Sequence, residues 1–292
     1  MGHVSLSANP EIYGDETVAL VEAFQRARGL VITGEVDELT WSRLVEAGWR
    51  LGQRLLFLAQ PCLRGDDVAD LQVRLAQLGF NPGRIDGIFG PILEEAIIEF
   101  QRNCAIGVNG TLTRETLNEL IRVSPSVPSR NLVTDARDLA GFDTEHNGPI
   151  IICGPNPLRE LVTRALETEY LTLSLDSAST EQIAIIANEN RAIVVLSLAT
   201  LDGADGDDTV HFHYWASYRS YSRRGERLAS AIAARLSQNE HPLRVELTGM
   251  ALPILRETQM TTLHIEVGTH NEKGLHDLAQ AISTVVLEVI HR

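Results

Sequence analysis

The stretch Phe100-Gln101-Arg102-Asn103-Cys104-Ala105-Ile106-Gly107-Val108-Asn109-Gly110-Thr111-Leu112 decides how this chain is read, because an earlier copy runs from Phe24 to Val36. Phe24, Gln25 and Arg26 return as Phe100, Gln101 and Arg102. Leu30 returns as Ile106, Gly34 as Gly110, Val36 as Leu112, Thr40 as Thr116 and Leu44 as Leu120, always 76 residues on. A fixed interval over this many positions marks a duplicated unit. In the second copy Ala96, Ile97, Phe100 and Gln101 have helical spacing, and Asn109-Gly110 supplies a turn in which Gly110 takes positive φ. Thr113 is the expected N-cap of a following helix with Leu117 and Leu120 on its buried face. Upstream, Val68, Leu71, Leu75 and Leu78 predict an opening helix over 67–78, stopped at Gly79. Residues 81–91 are dense in turn formers.

The first copy has only a short segment before its main helix and reads as incomplete, which would follow if the chain were trimmed. Trp41, Leu44, Val45, Trp49, Leu51, Leu55, Leu56 and Phe57 predict a helix through 41–58 packing the two units together, with Trp41 and Trp49 in the core between domains. Ser124-Pro125-Ser126-Val127-Pro128-Ser129 opens a linker. Beyond it, strands at 149–153, 170–175, 192–198, 210–215, 243–247 and 263–267 alternate with helices at 158–166, 180–190, 224–236 and 275–290. The helix at 158 is expected to be capped by Asn156 with Pro157 in its first turn. Such alternation predicts an α/β layered domain. The fold class is therefore α + α/β: two small helical units, then a twisted mixed sheet flanked by helices. The boundaries are 1–58, 59–123, a linker at 124–147, and 148–292.

The 292 residues suit two domains or three small ones, and 44% apolar content suffices for real cores, filled by aliphatic side chains because only 5% are aromatic. Asp and Glu number 39 against 25 Lys and Arg, a formal charge of −14. That balance disfavours nucleic acid and anionic lipid as partners. No apolar run approaches the ~20 residues of a membrane span, so no membrane insertion is expected. The N-terminus lacks the basic and apolar regions of a signal peptide. Three scattered cysteines, Cys62, Cys104 and Cys153, form neither a disulfide framework nor a zinc clip, and the default location is cytoplasmic. Cys153 reads as a buried, inert thiol. Tyr218 to Arg224 is the one local basic patch, either a solvated helix start or a partner contact.

The repeated motif resembles the peptidoglycan-binding type 1 family, and Asp86-Gly87-Ile88-Phe89-Gly90-Pro91 is similar to that family's loop. Leu255-Arg256-Glu257-Thr258-Gln259-Met260, followed by Leu263-His264-Ile265-Glu266-Val267-Gly268, resembles the zinc-dependent N-acetylmuramoyl-L-alanine amidase type 3 family. The first resemblance implies a glycan or stem-peptide groove with Asp86 and Phe89 as candidate binding residues, the alternative for that loop being structural turn chemistry; Arg256, in the Leu-Arg element of the second, is a further candidate binding residue. The second implies zinc held by two histidines and a glutamate, with another glutamate as general base. In this sequence the first histidine position falls near Asn156, with Glu160 as the nearest candidate for the glutamate ligand. The second falls at Ala199 in Leu196-Ser197-Leu198-Ala199. Glu266 occupies the general-base position, as a vestige.

A catalytic zinc needs about three protein ligands and a water. Asn156 is a poor ligand and Ala199 none, so no metal and no cofactor is expected and the activity is lost. Glu266 is then expected to make structural bonds, with Arg256 a candidate partner. Two binding units ahead of such a domain resemble an actinobacterial branch of the family. That implies a silent regulator of peptidoglycan precursor synthesis, with cell-wall biosynthesis proteins as partners: the enolpyruvyl transferase or the lipid II flippase, together with peptidoglycan fragments. It also implies kinase control through a C-terminal tail, and this sequence stops at Arg292. Two alternatives stay open. One is a zinc-dependent amidase repurposed around His211, His213 or His264 with Glu266, since both pairs are spaced to leave one strand face. The other is a peptidoglycan-binding module alone.

Overall fold

The computed structural model describes residues 13–124, 148–155, 157–201, 209–216, 221–238, 243–268 and 272–290. The linker beyond Ser124, Asn156, and Tyr218 to Ser220 of the basic patch lie outside the described residues.

The duplication is physical as well as textual. The first unit holds α1 (Asp15–Arg28) and α2 (Glu38–Ala47); the second holds α3 (Asp66–Gln77), α4 (Pro91–Asn103) and α5 (Arg114–Val123). Gln25 on α1 and Gln101 on α4 are wholly buried. The Gln101 carbonyl oxygen accepts from the amides of Asn109 and Gly110, while its Nε2 donates to Asn109 Oδ1, the Thr111 carbonyl and Thr116 Oγ1. Gln25 repeats this with Thr33, Gly34, Glu35 and Thr40. One buried amide thus satisfies the turn that follows its helix and ties it to the next helix, which explains why Gln, Gly and Thr recur together. Gly34 and Gly110 have φ of 73° and 69°, as the turn requires. Asp37 and Thr113 cap α2 and α5, the last helix of each unit, on the amides of Thr40 and Thr116. In the second unit Gln72 of α3 clasps the 84–88 loop in the same manner.

The helix expected over 41–58 stops at Ala47. The chain then turns at Gly52, whose φ is 93° and where a Cβ would come within 2.9 Å of Leu117. Residues beyond it cover the second unit instead: Leu56 is wholly buried in that core with Val68, Leu71, Phe89 and Leu120. Trp41 and Trp49 are exposed rather than interdomain core, with the Arg54 guanidinium 4.5 Å over the Trp49 ring.

The remainder is a six-stranded sheet of β1 (Ile150–Cys153), β2 (Thr172–Leu175), β3 (Val194–Thr200), β4 (Thr209–Trp215), β5 (Arg244–Met250) and β6 (Thr261–Val267). Between them come α6 (Leu158–Leu166), α7 (Thr180–Glu189), α8 (Arg223–Leu236) and the short α9 (Pro253–Glu257), with α10 (Glu272–Ile290) last. The order is β2-β1-β3-β6-β4-β5, and only β4 and β6 pair antiparallel. On one face Ile150, Ile152, Leu196, Phe212 and Ile265 pack with Val162 of α6, Ile232 of α8 and Ile282 of α10. On the other, Ile151, Val195 and Trp215 pack with Ile183 and Ala187 of α7 and Leu255 of α9. Continuous apolar strands follow from this two-sided burial. Helix α6 begins at Leu158 with Pro157, not Asn156, in the capping position. Ser222 caps α8 on the Gly225 amide, so the described part of the basic patch is a helix start.

The two helical units rest on the α/β domain at α9. Arg84 donates to the carbonyls of Leu255, Thr258 and Met260. Arg64 pairs with Glu257 through both guanidinium nitrogens. Arg256 reaches back to the Asp86 carbonyl and to both oxygens of Glu46, and the Ala251 amide donates to the Gly29 carbonyl.

Candidate functional site

The strand order brings the two sequence-separated pairs of polar residues together. In the antiparallel β4–β6 pairing His211 lies opposite Glu266 and His213 opposite His264. In the parallel β3–β6 pairing Ser197 lies beside His264 and Ala199 beside Glu266. Period-two alternation then places all of these on one sheet face. His213 Nε2 lies 3.3 Å from one oxygen of Glu266, and His264 Nε2 lies 3.4 Å from the other. Ser197 Oγ is 2.9 Å from His264 Nδ1. With the Nε2 proton of His264 directed at Glu266, Nδ1 accepts from the Ser197 hydroxyl. The row continues outward, since His211 Nδ1 is 3.6 Å from Glu246 on β5. The three imidazoles stack, His211 on His213 along β4 at 6.1 Å between ring centres and His213 on His264 across to β6 at 6.0 Å.

Glu266 is therefore held by two imidazoles. Hydrogen bonds from His213 first and His264 second hold its carboxyl far below the usual carboxylate range, against the opposing effect of burial. Arg256, the partner expected from sequence, is engaged with Glu46 and the second unit. His213 is buried, and among the described residues its Nδ1 has no hydrogen-bond partner. Cys153, next to Ser197 in the sheet register, is buried and unpaired by disulfide. Burial pushes its thiol up, in keeping with an inert role.

Position 199 carries only a methyl group. It borders a cavity of about 240 Å³ lined by Pro155, Pro157, Leu158, Leu198, Val267 and Leu275 among others. Gly154 sits so close to β3 that a Cβ would meet the Leu198 carbonyl at 2.1 Å, which pins the loop after β1 beside this cavity. The apolar lining and the missing donor do not fit a hydrolytic zinc. Glu160 stands exposed on α6. Among the described residues no three His, Cys, Asp or Glu side chains are grouped so as to hold a metal ion.

The other sequence candidates lie elsewhere. Phe89 is wholly buried in the core of the second unit. Asp86 accepts from Gln72 and the Ile88 amide, burial raises its carboxyl, and Arg256 grips its carbonyl. Asp86 and Arg256 thus meet at the junction between the second unit and the sheet domain, and Phe89 lies behind them in the core of the second unit. Ser197 and Glu246 join the site without having been anticipated as its members. Their signal is the strand register, which sequence does not show.

Residues 4–44 and 64–120 match the family described as a peptidoglycan binding domain, PG_binding_1. Over 96% of its length the chain is 29% identical to the N-acetylmuramoyl-L-alanine amidase CwlM of Mycobacterium tuberculosis, spanning 77% of that protein. A 60-residue stretch is 38% identical to the spore cortex-lytic enzyme of Oceanobacillus iheyensis, covering 20% of this chain and 22% of that one. Two solved amidases, AmiC2 of Nostoc punctiforme and one from Clostridium difficile 630, are 17% and 18% identical. Their TM-scores are 0.40 and 0.38, and each match covers 50% of this chain and 98% of the other. Two segments of the chain are thus similar to a peptidoglycan binding family, and nearly its whole length is similar to CwlM. No helix among the described residues is long and apolar enough to cross a membrane.

Proposed function

We propose that this protein is a catalytically silent amidase relative that regulates peptidoglycan precursor synthesis in the cytoplasm through protein contacts. The enolpyruvyl transferase and the lipid II flippase are its candidate partners. One observation carries the reading: Ala199 lies beside Glu266 in the sheet register and offers no donor, while Glu266 is clasped by His213 and His264. A general base needs an activated water to act on, and a zinc short of ligands generates none. The likeness to CwlM, named an N-acetylmuramoyl-L-alanine amidase, supports the amidase ancestry of the sheet domain. Metal analysis of the purified chain, coupled to a muropeptide cleavage assay, tests it. The expected result is zinc well below one equivalent with no cleavage, and stoichiometric zinc with cleavage overturns it.

The match of both helical units to a peptidoglycan binding family supports a second reading, a wall-binding module. Co-sedimentation with purified peptidoglycan, for a chain shown to be extracytoplasmic, would favour that one.

A further inference from the structure

The two repeated units differ in what covers them. In the second, residues 51–58 and α3 close over α4 and α5. Leu56 accepts from the Leu112 amide at 2.8 Å, Gly52 lies against Leu117, and Val68, Leu71 and Leu75 share one core with Phe89, Leu93 and Ala96. Phe89, Ala96 and Leu112 are left 0%, 2% and 4% exposed. Their counterparts in the first unit are Tyr13, Leu20 and Val36, exposed by 53%, 39% and 38%, and the counterpart of Leu117 is Trp41, at 62%. The Tyr13 hydroxyl donates to the Gly34 carbonyl, yet its ring stays open. Val45, one turn beyond Trp41, is also exposed. Among the described residues nothing plays for the first unit the part that 51–58 and α3 play for the second.

The rim of this face is acidic. Glu16 stands one turn before Leu20 on α1, and Glu38 one turn before Trp41 on α2, with Asp15 and Glu35 nearby in sequence. All four are exposed and join no ion pair shown among the described residues. Exposed apolar side chains grouped in this way and rimmed by polar residues mark interaction surfaces, and the carboxylates around them favour a basic visitor.

We propose that this face of the first unit is a docking groove for a basic amphipathic helix of a partner protein, seated as α3 is seated on the second unit. The internal repeat supplies the occupant's pattern: apolar side chains spaced like Val68, Leu71, Leu75 and Leu78, with Lys or Arg on the flanks. The inference rests on the regulatory reading and adds the chemistry of the partner.

The test uses the full chain and a labelled synthetic peptide of sequence 66–78 carrying Asp66→Lys, Asp67→Lys and Asp70→Lys, read by fluorescence anisotropy. Saturable binding is expected. It should weaken at least tenfold in the Leu20→Ser, Trp41→Ser double variant, and at least tenfold for the unmodified acidic peptide. Both substituted side chains are exposed, so an unchanged melting temperature shows that the variant folds. The proposal is overturned by no saturable binding or by binding indifferent to the double variant. It is also overturned if the chain dimerises through this face, if residues 1–12 crosslink onto it, or if a soluble glycan alone takes Trp41. The zinc and cleavage assay is independent. An active amidase that binds the peptide removes the regulatory reading and keeps the groove, whereas a silent one that ignores the peptide does the reverse.

Discussion

Ala199 and Glu266 are register partners in the parallel pairing of β3 and β6, a methyl group beside a carboxylate at the heart of the sheet's polar face. That pairing governs the chemistry available here. A donor at 199 would share a ligand with Glu266, but the methyl leaves the carboxylate to one imidazole on β4 and one on its own strand. His213 and His264 take one oxygen each, and an apolar cavity borders the other side.

Restoring one donor should not restore the site. Ala199→His has room, because the residue borders a cavity of about 240 Å³. Its melting temperature is expected to stay near that of the parent, since it neither empties a core nor strands a charge. Zinc content should remain below one equivalent and muropeptides should stay intact, because about three ligands are needed together. Stoichiometric zinc and cleavage from this single change would show that the rest of the ligand set is already in place.

Glu266→Gln should weaken the fold in a pH-dependent way. A glutamine keeps one acceptor oxygen but turns an N–H toward the other imidazole, so one of two charge-assisted bonds is lost, at a cost of about 1–2 kcal/mol. The folded-state pKa of Glu266 lies below its ordinary value of 4.5. Its stabilisation is therefore fully present above that value and fades as the pH falls below it toward the depressed one. The gap in thermal stability between the two proteins should be greatest near pH 7 and narrow below about pH 4.5. A gap that widens on acidification would contradict the assignment.

Much of the fold was legible because its constraints are local. The repeat at 24–44 and 100–120 shows in sequence since one buried glutamine demands a glycine turn and a threonine at fixed distances. The alternation of strands and helices shows because β1 and most of β3 are apolar on both faces. What stayed hidden is non-local. The insertion of β6 between β3 and β4 sets His213 opposite His264, and no spacing within either strand encodes that order. Arg256 was a reasonable partner for Glu266 by charge, yet α9 turns it toward Glu46 and the second unit. Trp41 was assigned to a core by hydrophobicity, but the segment after Gly52 folds onto the second unit and leaves it bare.

The glutamine hub gives a test of the duplicated units. Gln101→Ala strands the buried amide of Gly110 and frees the Asn109 amide, while the Thr116 hydroxyl keeps its bond with Thr113. An unsatisfied buried group costs about 1–3 kcal/mol, and a loss of that order is expected. Hydrogen exchange should quicken first at the amides of Asn109 and Gly110 and leave the sheet protected. Gln25→Ala should do the same to Thr33 and Gly34, whose amides it holds in the first unit. Equal exchange at these amides in parent and variant would show that the buried glutamine is not what holds the turn.

Arg256 should prove the fastening between the helical units and the sheet. Its guanidinium is buried, donates to the Asp86 carbonyl, and faces both oxygens of Glu46. Burial raises the Glu46 carboxyl and lowers the Arg43 guanidinium beside it, so this cluster already bears a desolvation cost that only complete pairing offsets. Arg256→Ala leaves Glu46 with Arg43 alone, and losing one partner of a buried pair costs about 3–5 kcal/mol. Glu257→Ala removes a pair whose Arg64 side is 34% exposed, where water takes over part of the role, and the expected loss is about 1 kcal/mol. Urea titration with separate probes for the two parts distinguishes a fastening from a general core defect. Trp215 of the sheet lies under Arg84 and reports the junction, whereas Trp41 reports the first unit. In the parent the two should unfold together, and in Arg256→Ala the junction signal should change at lower urea than the far-ultraviolet signal of the sheet. Coincident transitions in the variant would mean that Arg84 and Arg64 suffice to hold the units in place.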